Sequence, residues 1–311
     1  MSENKKHIDW ADDHYKQMLV YQRRYMWHED TLDRYAAWLG LHPGMTVADI
    51  GCGLGYMGYT YWKYYGENGK YIGIDNQPKL LEDARRQTEQ WAKGGEAKFL
   101  EGDAYDLPLD DNSVDCAMCQ TLLMHLEKPR DALAEMTRVV KPGGLVLCHE
   151  PDNLSSSMQH RFNSLPELDI DDEAFCHKIQ LICHRGRIKR GRGDCAIGAH
   201  IPHLMSQLGL VDIDIRNNDV VFQLEPPYDN PVQQHRYDSM KKHVVSDSAR
   251  QQELDTLRRE FDAGGGEPED FKRYIRIRDR SLDTFRKQVE QGKFFACGGY
   301  FYYICKGRKP D

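Results

Sequence analysis

A chain of 311 residues is too long for a disulfide-stapled mini-domain and long enough to bury one sizeable core. With 40% hydrophobic and 29% charged residues it is neither disordered nor fibrous, and its net charge of −7 argues against gripping nucleic acid through counterion release. The longest strongly apolar stretch, 294–305, spans twelve residues and the beginning (MSENKKHIDW) is polar, so the expectation is a cytoplasmic protein without a membrane span or secretory signal.

Residues 8–40 carry helical periodicity rich in aromatics, among them Tyr21, Tyr25, Trp27, Tyr35 and Trp38, and stop at Gly40 before His42-Pro43-Gly44. This predicts a pair of leading helices. Short apolar runs then alternate with helical stretches: strands over 46–50, 71–74, 97–100, 114–119 and 145–148, and helices over 56–65, 78–92 and 129–139. Strands alternating with helices predict a parallel sheet with crossovers. After Glu150 the rhythm breaks: 151–198 reads as polar and irregular, a helix is expected over 200–208 and a strand over 211–216. A second excursion, 225–292, holds Glu225-Pro226-Pro227, a Gly264-Gly265-Gly266 break and charged helical segments before the β-rich 294–305. Its modest apolar content suits an inserted helical lid better than an independent domain. The expected organisation is a helical cap (1–40), a ligand-binding core (41–150), an insertion (151–198), a continuation of the core (199–224), a helical lid (225–292) and a terminal strand (293–311).

Nine scattered cysteines show no disulfide framework, and free thiols are expected. Cys116 and Cys119 form a CxxC inside a predicted strand, where residues three apart face opposite ways and cannot share a metal. Cys176, His177, Cys183 and His184 have better residue types for zinc, but on a helix the two cysteines lie about 10 Å apart. No metal site is expected.

The strongest site signal is Asp49-Ile50-Gly51-Cys52-Gly53-Leu54-Gly55, directly after one predicted strand and opening a helix. Glycines at alternate positions let the backbone turn tightly and approach a ligand where a Cβ would clash. Asp75 ends the next strand 20 residues beyond Gly55, with Asn76 beside it, where a carboxylate can accept ribose hydroxyl protons. Gly53 to Gly58 also satisfies GxGxxG, so a nicotinamide-dependent dehydrogenase stays open at this point. Three features weigh against it. Asp49 beside the loop suits an ammonium group better than a pyrophosphate; Gly102-Asp103-Ala104 follows the third strand, within reach of an adenine amino group; and a late aromatic strand after an inserted segment is foreign to a dinucleotide half-fold.

These motifs, continued by Val114-Asp115-Cys116-Ala117-Met118-Cys119-Gln120-Thr121-Leu122-Leu123-Met124-His125-Leu126 and Arg138-Val139-Val140-Lys141-Pro142-Gly143-Gly144, closely resemble the class I S-adenosylmethionine-dependent methyltransferases, in particular their small-molecule branch. The resemblance covers about residues 40–150. It implies an α/β, Rossmann-like, seven-stranded and mostly parallel sheet with the last strand antiparallel between its neighbours, and S-adenosyl-L-methionine as cofactor. It places Asp49 and the backbone of Gly51, Cys52, Gly53 and Gly55 around the methionine moiety, Asp75 and Asn76 at the ribose, Gly102, Asp103 and Ala104 at the adenine, and Gln120 beside the methyl group.

Methyl transfer is an in-line displacement in which the protein mainly aligns the acceptor and excludes water. Where the acceptor carries a proton, His125, His149 and Glu150 after the fourth and fifth strands are the candidate bases. Tyr21 and Tyr25 can lie over the sulfonium as a lid, or pack on the core as an ordinary amphipathic face. Arg185, Arg187, Lys189, Arg190 and Arg192 crowd between glycines; they form either a solvated loop or a flexible anion grip, with Arg187 and Arg190 as the acceptor-binding pair. The expected function is methyl transfer to a small-molecule, possibly anionic, acceptor. Its alternatives are the dehydrogenase, an RNA methyltransferase, or a non-catalytic binding protein that keeps the fold.

Overall fold

A computed structural model describes residues 27–159, 165, 167–245 and 247–311. Of the two expected leading helices, α1 (Glu29–Leu39) lies within the described residues. Glu29 and Asp30 favour its N-terminus, and Gly40 closes it in the left-handed region at φ 74°, its N–H returning to Ala36 and Ala37. The alternation then appears as β1 (Thr46–Ile50), α2 (Tyr56–Tyr65), β2 (Lys70–Asp75), α3 (Pro78–Trp91), β3 (Glu96–Glu101), β4 (Val114–Gln120), α4 (Pro129–Val139) and β5 (Val140–Pro151).

Strands β1, β2, β4 and β5 are buried on both faces, so their apolar runs are continuous and successive residues serve opposite cores, whereas the edge strand β3 exposes Glu96, Lys98 and Glu101. On one face Ala48, Ala117, Cys119, Val146 and Cys148 meet Leu133 and Met136 of α4. On the other Val47, Tyr71, Cys116, Met118, Leu145 and Leu147 meet Leu32 of α1 and Tyr61, Trp62 and Tyr65 of α2. Cys116 and Cys119 thus point to different cores, as strand geometry requires.

Beyond β5 the chain differs from the irregular segment read from its polarity. After α5 (Asn153–Gln159), α6 (Ile170–Lys189) is a helix of 20 residues. Asp169 caps it by accepting the Asp172 N–H at 2.8 Å, acids fill its first turn, and Arg187 and Lys189 lie in its last. Leu181 and Ile188 are exposed on one side while Phe175, Ile179 and Cys183 are buried on another, which blurs the apolar period. Next come α7 (Ile201–Gln207), β6 (Val211–Asn217), β7 (Val221–Leu224), α8 (Pro231–Val245), α9 (Asp247–Gly264) and α10 (Pro268–Glu290). The 294–305 stretch, expected as one strand, is divided: β8 (Ala296–Gly299) pairs with β7 in a separate two-stranded sheet, and β9 (Tyr302–Arg308) enters the main one.

The main sheet has seven strands in the order β3-β2-β1-β4-β5-β9-β6, with β9 antiparallel to both β5 and β6. Helices α6, α9 and α10 share a small core of Phe175, Ile179, Cys183, Phe261, Phe271, Tyr274 and Ile277. Their crossing is close: a Cβ on Gly186 would lie 1.7 Å from the Glu260 carbonyl oxygen, and one on Gly264 would lie 2.1 Å from that of Ile182. The excursion from the main sheet between β6 and β9 has joined ends. Asn218 donates its N–H to the Tyr302 carbonyl at 3.0 Å, and its side-chain oxygen accepts the Tyr302 N–H at 2.9 Å. Among the described residues no helix is long and apolar enough to cross a membrane.

Candidate functional site

Parallel order brings the C-terminal ends of β1, β2, β4 and β5 to one edge of the sheet, and the glycine loop lies there between β1 and α2. Gly51, Gly53 and Gly55 all have positive φ (66°, 52° and 80°), which L side chains rarely adopt. At Gly51 a Cβ would also press to 2.8 Å from Leu122 Cδ1, whereas at Gly53 it would meet nothing within 4 Å. The loop is therefore seated on the end of β4 at one glycine and open at the next, leaving backbone accessible to a ligand.

Asp75 closes the loop from β2. One carboxylate oxygen accepts the Gly53 N–H at 2.9 Å and the other the Gln77 N–H at 3.0 Å. Burial raises its carboxyl above the ordinary value, opposed by backbone donation from Gly53, Gln77 and Asn76. Asn76 is exposed next to it. Cys52 is buried, its thiol pushed up by burial and then by the charges of Asp49 and Asp75. Asp49 is 1% exposed and accepts from the Tyr71 hydroxyl. Gly102 is tied to β2 through its N–H to the Asp75 carbonyl at 3.2 Å. Asp103 is exposed and accepts the Tyr105 N–H at 3.0 Å, with Ala104 between them half-buried.

At the end of β4, Gln120 is buried and lies in register with His149 on β5. Thr121 follows at φ 51°, a costly conformation for a β-branched residue. The fully buried Glu150 supports it: its carboxylate accepts from the N–H groups of Leu122 and Leu123 at 2.9 Å each and of Met124 at 3.2 Å. Three backbone donors make Glu150 a holder of this turn, a role different from the acid–base one expected of it. His149 points to the opposite face, its ring 4.9 Å from Trp27 and 6.0 Å from Tyr61, centre to centre. His125 ends the short 3₁₀ turn Leu123–His125 and is half-buried.

Tyr21 and Tyr25 lie outside the described residues. The basic cluster is not the flexible loop expected from its glycines: Arg185, Arg187 and Lys189 belong to the last turns of α6, and only the chain after it turns at Gly191 and Gly193. Arg187 and Arg192 converge on the Glu260 carboxylate of α9, at 3.7 and 3.3 Å, and so fasten one helix to another; Arg190 caps α6 through its N–H to the Gly186 carbonyl. The sequence reading also missed a pair brought together here. His184 Nε2 lies 2.7 Å from Asp194 Oδ1. Asp194 is flanked by Gly193, where a Cβ would lie 2.3 Å from the Met124 carbonyl oxygen, and by Cys195, whose carbonyl accepts the Asn153 N–H. The pair is local, made where the chain turns back at Gly191 and Gly193 after α6, and reading 151–198 as irregular hid that turn. Among the described residues no group of three or more His, Cys, Asp or Glu side chains is placed to hold a metal ion.

The strand order with an antiparallel β9 and the glycine-loop edge define a Rossmann-like methyltransferase fold. Comparison with known proteins agrees: residues 48–148 match the family described as methyltransferase domain. The chain is 35% identical over 161 residues to an uncharacterized 37.1 kDa protein in transposon TN4556 of Streptomyces fradiae, covering 52% of this chain and 44% of that protein. It is 32% identical over 133 residues to the demethylmenaquinone methyltransferase of Oceanobacillus iheyensis, covering 43% and 54%. The chain thus spans about half the length of these curated relatives. The YcgJ protein from Bacillus subtilis shares the fold at a TM-score of 0.50 and 19% identity, covering 91% of this chain and 100% of that one. Residues 48–148 thus form a class I methyltransferase domain, with S-adenosyl-L-methionine as the methyl donor.

Proposed function

We propose that the protein transfers a methyl group from S-adenosyl-L-methionine to a small-molecule acceptor, and that 151–198 and 225–292 build the acceptor pocket over the sheet edge. The observation that carries this is the open cradle at Gly53, bounded by Asp75 and by the Glu150-held turn. The residues fit the cofactor. The glycine-loop backbone and Asp49 would hold the methionine part, Asp75 with Asn76 the ribose, Gly102, Asp103 and Ala104 the adenine, and Gln120 would lie at the methyl group.

The cofactor supplies an electrophilic methyl on a sulfonium, and the chain supplies alignment and a dry edge. Asp75 accepts from ribose hydroxyls with its remaining lone pairs while keeping the loop closed through Gly53. Glu150 fixes Leu122 to Met124, so the backbone beside Gln120 is rigid where the acceptor must line up. For an acceptor that loses a proton, His184, oriented by Asp194, joins His125 and His149 as a base. The nine free thiols are in keeping with the proposed cytoplasmic address.

Calorimetric titration with S-adenosylhomocysteine and with NADH tests the reading. Binding of the former alone is expected; response to NADH alone would instead identify a dehydrogenase. Transfer of label from methyl-tritiated S-adenosylmethionine should then reach the small molecules of a panel that includes a demethylmenaquinone-type quinol. Label incorporated only into RNA overturns the small-molecule assignment.

A further inference from the structure

We propose that Tyr71 is a positioning residue of the cofactor site, acting through Asp49; the proposal rests on the glycine loop being the S-adenosylmethionine cradle. Tyr71 is fully buried on β2, and its hydroxyl donates to Asp49 Oδ2 at 2.8 Å. The register explains the contact. Asp49 on β1 lies opposite Gly73, two residues beyond Tyr71 on the same face of β2, so the phenol reaches along the sheet to the carboxylate. Gly73 keeps that space clear, since a Cβ there would already lie 2.7 Å from the Phe99 ring and 2.9 Å from Cys52 Sγ.

The ring is held edge-on by Trp91 and Phe99, with centroids 5.7 and 5.6 Å away. It also packs against the first turn of α2 and beneath the last loop glycine: a Cβ on Gly58 would lie 2.4 Å from Tyr71 Cε2, and one on Gly55 would lie 3.6 Å from its hydroxyl. Gly58, the residue that completes the dinucleotide-like GxGxxG spacing, is therefore accounted for by the Tyr71 ring and needs no pyrophosphate.

Asp49 stands in an apolar, aromatic wall. The acidic groups around it respond: burial and then the Asp49 charge raise the Tyr65 hydroxyl and the Cys52 and Cys116 thiols. In such surroundings a hydroxyl donor fixes a carboxylate more firmly than it would in water. One Asp49 oxygen is thereby anchored toward β2, which sets how the carboxylate stands beneath the loop that receives the methionine moiety.

Tyr71→Phe keeps the ring against Gly58 and removes only the donor. S-adenosylhomocysteine is titrated calorimetrically into the wild type, Y71F, D49N and the double variant. Y71F is expected to bind about tenfold more weakly, and its further loss in the D49N background, where an amide oxygen still accepts but the charge is gone, to be smaller than in the wild type. Unchanged affinity in Y71F, or losses that simply add, overturns the role of Tyr71 while leaving the cradle in place. A wild type that binds no S-adenosylhomocysteine overturns the cradle, and the role of Tyr71 with it. If Y71F fails to unfold cooperatively, 3-fluorotyrosine at position 71 keeps the donor and alters its acidity; affinity indifferent to that change also overturns the proposal.

Discussion

Carboxylates are used differently in the two halves of this molecule. Around the glycine loop they accept from the backbone: Asp75 from Gly53 and Gln77, Glu150 from Leu122 to Met124. Among the helices α6, α9 and α10 they meet arginine side chains: Asp172 with Arg273 and Arg280, Glu260 with Arg187 and Arg192, Asp279 with Arg250. A carboxylate bound to N–H groups fixes the path of a loop, so residue type and spacing are both constrained. An ion pair between helices holds them together but can be replaced by many others. The first arrangement leaves a motif in the sequence and the second does not.

The contrast can be broken most sharply at Gly186. Gly186→Val drives side-chain atoms into the Glu260 backbone and should destabilise the packing of α6 on α9 by about 3 kcal/mol or more. The expected result is a lower melting temperature and earlier proteolysis within 167–290, with S-adenosylhomocysteine affinity within about twofold of wild type. A collapse of cofactor affinity would mean that the two halves are not energetically separate.

Asp75→Asn should do the reverse, weakening S-adenosylhomocysteine binding about tenfold or more while the helices keep their protease resistance. The pH dependence sharpens this. Because burial raises the Asp75 carboxyl above its unfolded value, its contribution to stability is present below that value and is lost as pH rises through the folded one. The ribose-binding role proposed for Asp75 needs the ionised form. Affinity should therefore fall on acidification at a higher pH than for an exposed aspartate, and the asparagine variant should lose this dependence; calorimetry across a pH series measures it.

The smallest effect is expected at Arg187→Ala. Glu260 keeps Arg192 as a partner, so the loss should be about 1 kcal/mol of helix packing, read as a shift of one or two degrees in thermal denaturation. A large rise in the acceptor's Michaelis constant would instead return Arg187 to the substrate-binding role its sequence context suggested.

The same division explains what could be read beforehand. Strands β1, β2, β4 and β5 and helices α2 to α4 were legible because their apolar runs are buried on both faces or follow one helical stripe, the edge strand β3 through its short run at 97–100, and the glycine loop because its backbone conformation restricts residue type. Helix α6 was hidden although Asp169, the acids of its first turn and its basic last turn are ordinary helix signals. Exposed Leu181 and Ile188 obscured its period, and the glycines around its arginines suggested a loop. The backbone role of Glu150 depends on a contact between separate segments, which spacing does not report, and the His184–Asp194 pair on a turn after a helix that was itself not read.

The hydrogen bonds between Asn218 and Tyr302 join residues 84 apart in sequence. The whole of α8, α9 and α10 thus leaves and re-enters the main sheet at one point, so a substitute segment of any length need only begin and end at adjacent positions. Such an arrangement makes α8 to α10 a cassette set between two paired strands. Diversification, or a laboratory graft, can replace it between 219 and 301 while β6 and β9 stay paired, provided the new segment also covers the α6 face of Phe175, Ile179 and Cys183.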